Sequence, residues 1–202
     1  MKRWGLLVVL LLALCGCAGG GASRGTNGTG AYAGKLVKQY GGEKTRPDAL
    51  PVRTIVLTYP KAGERLNLTY YKNGDYDPEA MHQIDMIFRD RNVNKVGKID
   101  PELIDYLVDI RRRLGLPPSV PFEILSGYRS PETNARLRIT NGQAAKESLH
   151  MHGWAVDFRV KSVNGKAIAE IAKTMQRGGV SFYPSSNHVH VDLGNIRTWA
   201  TK

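Results

Sequence analysis

Apolar positions recur along this chain in two rhythms, and the switches between them predict its elements. Arg53-Thr-Ile-Val-Leu-Thr-Tyr59 is dense in β-branched and aromatic residues and predicts a strand. Leu66-Asn-Leu-Thr-Tyr-Tyr71 alternates and runs into Asn73-Gly74, a turn pair that predicts a hairpin. The period then lengthens. Met81, Ile84, Ile87 and Phe88 fall at helical spacing behind Asp77-Pro78, which caps a helix expected to reach about Arg89. Asp100-Pro101-Glu102 opens a second helix, with Leu103, Tyr106, Leu107, Ile110 and Leu114 on its buried stripe and Gly115 as its stop. Strands are expected at Phe122 to Leu125, Ala155 to Val160 and His188 to Leu193. Helices are expected from Pro131 to about Leu137 and from Lys166 to Gln176, the latter ended by Gly178-Gly179. Helices that precede and interrupt strands able to pair antiparallel predict an α+β fold, an antiparallel sheet flanked by helices.

The first fifty residues follow neither rhythm. Met1-Lys2-Arg3 and an apolar run from Leu6 to Leu14 have the charged and apolar regions of an export signal. The run is too short to span a bilayer, which takes roughly 20 apolar residues. It ends in Leu14-Cys15-Gly16-Cys17, similar to a bacterial lipobox with Cys17 as the acylated residue. The expected organisation is a lipoprotein signal peptide at 1–16, a lipidated N-terminus and flexible tether at 17–51, and one domain at 52–202. Ala18 to about Gly34 is Gly, Ser, Thr and Asn with little to bury, which suits a tether. A diacyl anchor supplies the two chains that stable attachment requires. Ala18 directly after Cys17, in place of Asp, points to the outer membrane of a Gram-negative cell. Both cysteines lie in this leader, so the domain has neither a disulfide framework nor a thiolate metal site.

The formal net charge is +11, and removing Lys2 and Arg3 with the leader would leave about +9. For an exported protein, nucleic acid is excluded as a partner. An anionic wall polymer, rich in carboxylates and phosphates, fits a basic surface better. A periplasm-facing monomer in the cell envelope is expected.

The chemistry concentrates near the C-terminus. Four of five histidines lie in Ser148-Leu-His-Met-His-Gly-Trp-Ala-Val-Asp157 and Asn187-His-Val-His-Val-Asp192. On a strand alternate residues share a face, so His188, His190 and Asp192 point one way while Val189, Val191 and Leu193 enter the core. Asp157 likewise faces away from Val156 and Phe158. Pairing the two strands would set Asp157 beside His190, with His150 arriving from the preceding turn. Two neutral imidazoles and one carboxylate form a compact zinc site with room for a water, whose pKa the ion would bring toward about 7. His152 stands as an alternative ligand, although the seven-residue spacing to Asp157 favours His150. Gly127 and Ser130-Pro131 bracket a sharp turn that throws out Arg129, whose planar fork can clamp a substrate carboxylate or carbonyl. Asn134 can tie that loop's backbone together.

Three segments, SGYRSPETNARL, SLHMHGWAVDFRV and YPSSNHVHVDLGNIRTW, resemble the murein endopeptidase K-like enzymes of the zinc D-Ala-D-Ala metallopeptidase group, which is joined with lysostaphin-type enzymes and the hedgehog domain. GERLNLTYYKNGDYDPEA, IFRDRNVN and IDPELIDYL extend the likeness over about Leu57 to Trp199. The resemblance implies one Zn2+ per chain on His150, Asp157 and His190, substrate binding by Arg129, and hydrolysis of peptide bonds in peptidoglycan stems or cross-links. It also matches His188 to a histidine that assists catalysis in part of the superfamily.

One position departs from the wider group. Where many D-Ala-D-Ala peptidases carry an acidic general base three residues before the last ligand, this chain has Asn187. His188 is then the candidate base or oxyanion helper, since imidazole titrates near neutrality. Asp192 is the second candidate catalytic group, or a carboxylate that orients a ligand imidazole. Asn187 also keeps open a catalytically silent peptidoglycan-binding lipoprotein. Endopeptidase and D,D- or L,D-carboxypeptidase activities are not separable from these residues, and the resemblance favours an endopeptidase on direct diaminopimelate cross-links.

Overall fold

The computed structural model describes residues 50–142 and 144–200. The leader, Cys17 and the tether up to residue 49 lie outside the described residues. Eight strands form one sheet: β1 (Val52–Tyr59), β2 (Glu64–Lys72), β3 (Asp75–Tyr76), β4 (Phe122–Ser126), β5 (Ala155–Arg159), β6 (Gly179–Tyr183), β7 (His188–Asp192) and β8 (Arg197–Ala200), in the order β3-β2-β1-β4-β5-β7-β6-β8. Among the described residues four α-helices accompany it: α1 (Pro78–Ile87), α2 (Pro101–Arg113), α3 (Pro131–Asn141) and α4 (Gly165–Thr174). Among the described residues, no helix is long and apolar enough to cross a membrane.

The fold is α+β, but the sheet is mixed and not antiparallel throughout. β1 pairs with β4, and β6 with β8, in parallel. Two strands escaped the sequence pattern for identifiable reasons. Gly178-Gly179 reads as a helix stop, yet the backbone passes directly into β6, where Gly178 lies against the Asp192 carbonyl so closely that a Cβ would collide with it. β8 is a four-residue edge strand behind Gly194-Asn195, too short for a period to register.

Local chemistry sets the remaining boundaries. Asn73 and Gly74 both adopt positive φ, as a tight two-residue hairpin turn demands, and join β2 to β3. Asp77, Asp100, Ser130 and Asn164 cap the four helices with side-chain acceptors. α3 runs on to Asn141, a turn beyond the expected Leu137, and stops where Gly142 turns left-handed.

One sheet face carries the core. Ile55, Leu57, Phe122, Ile124, Val156, Phe158, Val189 and Val191 pack there with α2 residues Leu103, Tyr106, Leu107 and Ile110 and with Ile168, Ala169 and Ala172 of α4. α2 is buried from Leu103 to Arg111, so its polar groups need internal partners. Asp105 accepts from Arg53 at 2.9 Å, the Tyr70 hydroxyl at 2.8 Å and the Tyr76 hydroxyl at 2.6 Å. Asp109 accepts from Arg177 at 2.8 Å.

The connection between α1 and α2 braces the loop that follows β4. Glu64 takes charged hydrogen bonds from Arg91 and Arg89, which hold its carboxyl down at about 2. Asp90 accepts from the Ser130 amide at 2.9 Å, and Tyr128 N–H donates to the Phe88 carbonyl at 2.8 Å. The SGYR loop is thus fixed from both sides. Asn134 holds its far end through the Ala145 and Lys146 carbonyls.

Because Asp105 satisfies three donors around a buried helix, Asp105→Ala should destabilise the domain by about 3–5 kcal/mol, as removal of one partner from a buried ion pair does. Urea unfolding checks this, and a loss below about 1 kcal/mol would mean the donors find other acceptors.

Candidate metal centre

β5 and β7 are antiparallel neighbours in a register that sets Asp157 opposite His190 and Ala155 opposite Asp192. Ser126 of β4 pairs with Asp157, Ser181 of β6 with His190, and Trp199 of β8 with Ser181. One polar row, Ser126-Asp157-His190-Ser181-Trp199, therefore crosses five strands on the face opposite the core. His150 reaches this row from a 3-10 turn, Leu149–His152, that precedes β5. The turn closes on Gly153, at φ 70°, where a Cβ would stand 1.8 Å from the Lys98 carbonyl oxygen. Only glycine fits both the conformation and the approach.

His150, Asp157 and His190 offer ligand atoms that all lie within 4.8 Å of one another, a grouping of metal-ligating side chains found among the described residues. Each imidazole has its other nitrogen engaged. His150 Nδ1 is 2.7 Å from the Gly127 carbonyl oxygen, which can only accept, so Nδ1 donates there and Nε2 is the nitrogen turned toward the cluster. That Nε2 faces Asp157 Oδ2 at 3.6 Å. His190 Nε2 is 2.9 Å from Asp192 Oδ2, and His190 Nδ1 is 2.9 Å from Asp157 Oδ1. With Nε2–H given to Asp192, Nδ1 is the coordinating atom. Such acceptors behind ligand imidazoles fix ring orientation and raise basicity.

The electrostatics favour a cation here. Burial opposes charge on His190, but hydrogen bonds to Asp157 and Asp192 outweigh it and raise the imidazole to about 9. Burial also works against ionised Asp157, yet His150 and His190 hold it well below its usual range. A metal between these atoms would take the place of the His190 Nδ1 proton. The donor set of two imidazoles and one carboxylate fits zinc with one open position.

Asp192 lies behind this cluster and not in the cleft. It is 0% exposed and accepts from the Gly179 and Gly194 amides, from Arg197 at 2.7 Å and from His190. Burial raises it, but His190 and Arg197 bring it down to about 2. With its oxygens filled and its charge fixed, its geometry is that of an orienting carboxylate. His188 is half-buried on the cleft face. Its ring stacks on Tyr183 with centroids 4.2 Å apart, and its Nδ1 lies 2.6 Å from Ser186 Oγ. Burial, His190 and Arg159 lower its pKa against the opposing pull of Asp157. It is therefore neutral at neutral pH, as a proton acceptor must be.

Arg129 sits half-buried on the braced loop, its N–H donating to the His150 carbonyl at 3.1 Å. Among the described residues its guanidinium makes only long contacts, 3.4 Å to Ser126 Oγ and 3.5 Å to Asn134 Oδ1, so it can turn to a ligand. His152 is exposed, stacks on Trp154 and lies outside the three-residue cluster. Asn187 is committed elsewhere: at φ 50°, it accepts from the Gly165 amide and donates to the Val163 carbonyl, tying the start of β7 to the start of α4.

Tyr183, Ser186, Arg197 and Trp199 were not singled out from the sequence. Tyr183 and Trp199 stand on β6 and β8, the two strands the pattern did not predict. Placing β6 would have revealed that Ser181 and Tyr183 share the histidine face, because strand alternation is strict.

If the cluster holds a metal, Asp192→Asn should weaken its binding about 10–100-fold, the usual cost of losing an acceptor behind a ligand, and Arg197→Ala should weaken it less. Chelator competition measures both, and unchanged affinity in Asp192→Asn would remove that carboxylate from the metal's support. His152→Ala should keep full zinc content.

The chain is similar to proteins of one known family. Residues 48–199 match the family described as peptidoglycan L,D-endopeptidase MepK. A probable peptidoglycan L,D-endopeptidase MepK from Haemophilus influenzae is 36% identical over 154 residues, covering 76% of this chain and 80% of that protein. The peptidoglycan L,D-endopeptidase MepK of Escherichia coli K12 is 36% identical over 147 residues, 73% of this chain and 80% of the relative. With the match spanning all but the last described residue and both relatives 36% identical over most of their length, the chain belongs to the peptidoglycan L,D-endopeptidase MepK family.

Proposed function

We propose that this protein is a zinc-dependent peptidoglycan L,D-endopeptidase, tethered to the outer membrane through acylated Cys17 and acting in the periplasm as a monomer. The observation that carries the reading is the His150, Asp157 and His190 cluster, whose imidazoles each have the non-coordinating nitrogen engaged. Names of the relatives support the bond type, and the sequence resemblance supports a direct diaminopimelate cross-link as substrate.

Zinc bound there would polarise the scissile carbonyl and acidify a water. The residues supply the rest. Arg129 orients the peptide by clamping a carboxylate or carbonyl. His188, held by Tyr183 and Ser186, accepts a proton from the nucleophile or donates to the developing oxyanion. Asp192 holds His190. Residues 17–51 carry the domain away from the bilayer.

The purified protein should hold about one zinc per chain and cleave a direct diaminopimelate–diaminopimelate muropeptide, with products identified by mass. His150→Ala, Asp157→Ala and His190→Ala should each lose most of the metal and the activity. His188→Ala should retain zinc but lose roughly 10²–10⁴-fold in turnover. Near-wild-type turnover by His188→Ala would remove it from proton transfer. An inert wild type on every muropeptide would favour the silent binding lipoprotein, and release of single C-terminal residues would indicate a carboxypeptidase.

The anchor has its own test. Cells fed a labelled fatty-acid analogue should mark the wild type but not Cys17→Ala. Equal labelling of both would exclude Cys17 as the acylated residue.

A further inference from the structure

A second polar row crosses the sheet beside the one that bears the metal-ligand candidates. Glu123 of β4 pairs with Arg159 of β5, and Tyr183 of β6 pairs with His188 of β7. Continuing the β5–β7 register one residue past Phe158 and Val189 brings Arg159 across from His188. The row reads Glu123-Arg159-His188-Tyr183 and shares its face with Asp157 and His190. Arg159 is two residues beyond Asp157 on the same strand, about 6.5–7 Å along it.

Arg159 Nε donates to Glu123 Oε2 at 2.7 Å. Among the described residues this is the one hydrogen bond that either side chain makes. The two terminal nitrogens of Arg159, on a side chain 39% exposed, remain uncommitted, as does the second Glu123 oxygen. An ion pair this open to solvent adds little to stability. Its position beside the metal cluster gives it another use.

We infer that Glu123 and Arg159 form a subsite for a zwitterionic α-amino-acid terminus, a carbon bearing both a free carboxylate and a free ammonium. The inference rests on the peptidase reading above. The free fork of Arg159 suits a carboxylate in two-point contact, and the spare Glu123 oxygen suits the ammonium. A lone arginine would take any anion. The pair carries no net charge, so it gains little from a carboxylate alone and most from a guest with the complementary dipole. A cross-link that joins two diaminopimelates leaves one of them with such a terminus on its side chain.

The test uses the zinc-loaded full chain on a diaminopimelate cross-linked muropeptide and on the same compound with the terminal carboxylate amidated or the terminal amine acetylated. The wild type should prefer the unmodified compound by about tenfold in kcat/KM, chiefly through KM, the scale of one charged hydrogen bond. Arg159→Gln should lose that tenfold on the unmodified compound and change little on the amidated one. Glu123→Gln should behave the same way with the acetylated compound. Zinc content should match the wild type in both variants. Equal losses on modified and unmodified compounds, or a wild type indifferent to both modifications, would overturn the subsite while leaving the peptidase intact. A wild type that cleaves none of the three would instead overturn the peptidase reading, and the subsite with it.

Discussion

The pairing of β5 with β7 is the constraint on which the site depends. Asp157 and His190 meet because the register places them directly opposite, and every other group is set by its offset from that pair. A slip of β7 by one residue would turn His190 and Asp192 into the core and bring Val191 to the cleft, leaving Asp157 without its partner. The apolar face forbids that slip, since Val156, Phe158, Val189 and Val191 are fully buried against α2 and α4. Hydrophobic burial on one face of the sheet thus fixes the placement of the candidate ligands on the other.

Around that pair, charge is arranged in shells. Asp157 and Asp192 flank His190 from opposite sides, one at each ring nitrogen, and Arg197 balances the outer carboxylate. The arrangement stabilises positive charge between the inner atoms while fixing which nitrogen of each ring faces the cluster. His150 achieves the same with a backbone carbonyl, and that carbonyl belongs to Gly127 at the end of the SGYR turn. Loop bracing by Asp90 and the Glu64–Arg89–Arg91 clamp therefore supports the His-Asp-His group through Gly127.

The three metal-ligand candidates were readable from the sequence because strand alternation and turn position are local properties. Strand period alone placed His188, His190 and Asp192 on one face, and the structure shows that face. Helix starts were readable from Asp77, Asp100 and Ser130 with their prolines. What escaped was what long-range contacts decide. The parallel pairing of β1 with β4 joins residues 65 positions apart, Leu57 and Phe122, and no local pattern encodes it. β6 was masked by the glycines that let it pass close to Asp192, and with it went Tyr183. Asn187 reads as a missing base in the sequence, and in three dimensions it is a left-handed tie between β7 and α4. The role of Asp192 was likewise open until its burial and its four partners were seen.

The central claim is that a metal sits between His150 Nε2, Asp157 and His190 Nδ1. X-ray absorption at the zinc edge of the loaded protein tests it most directly. The account predicts a first shell of two imidazole nitrogens at about 2.0–2.1 Å and light oxygen donors at about 2.0–2.2 Å. One imidazole in place of two, or sulfur at about 2.3 Å, would contradict it.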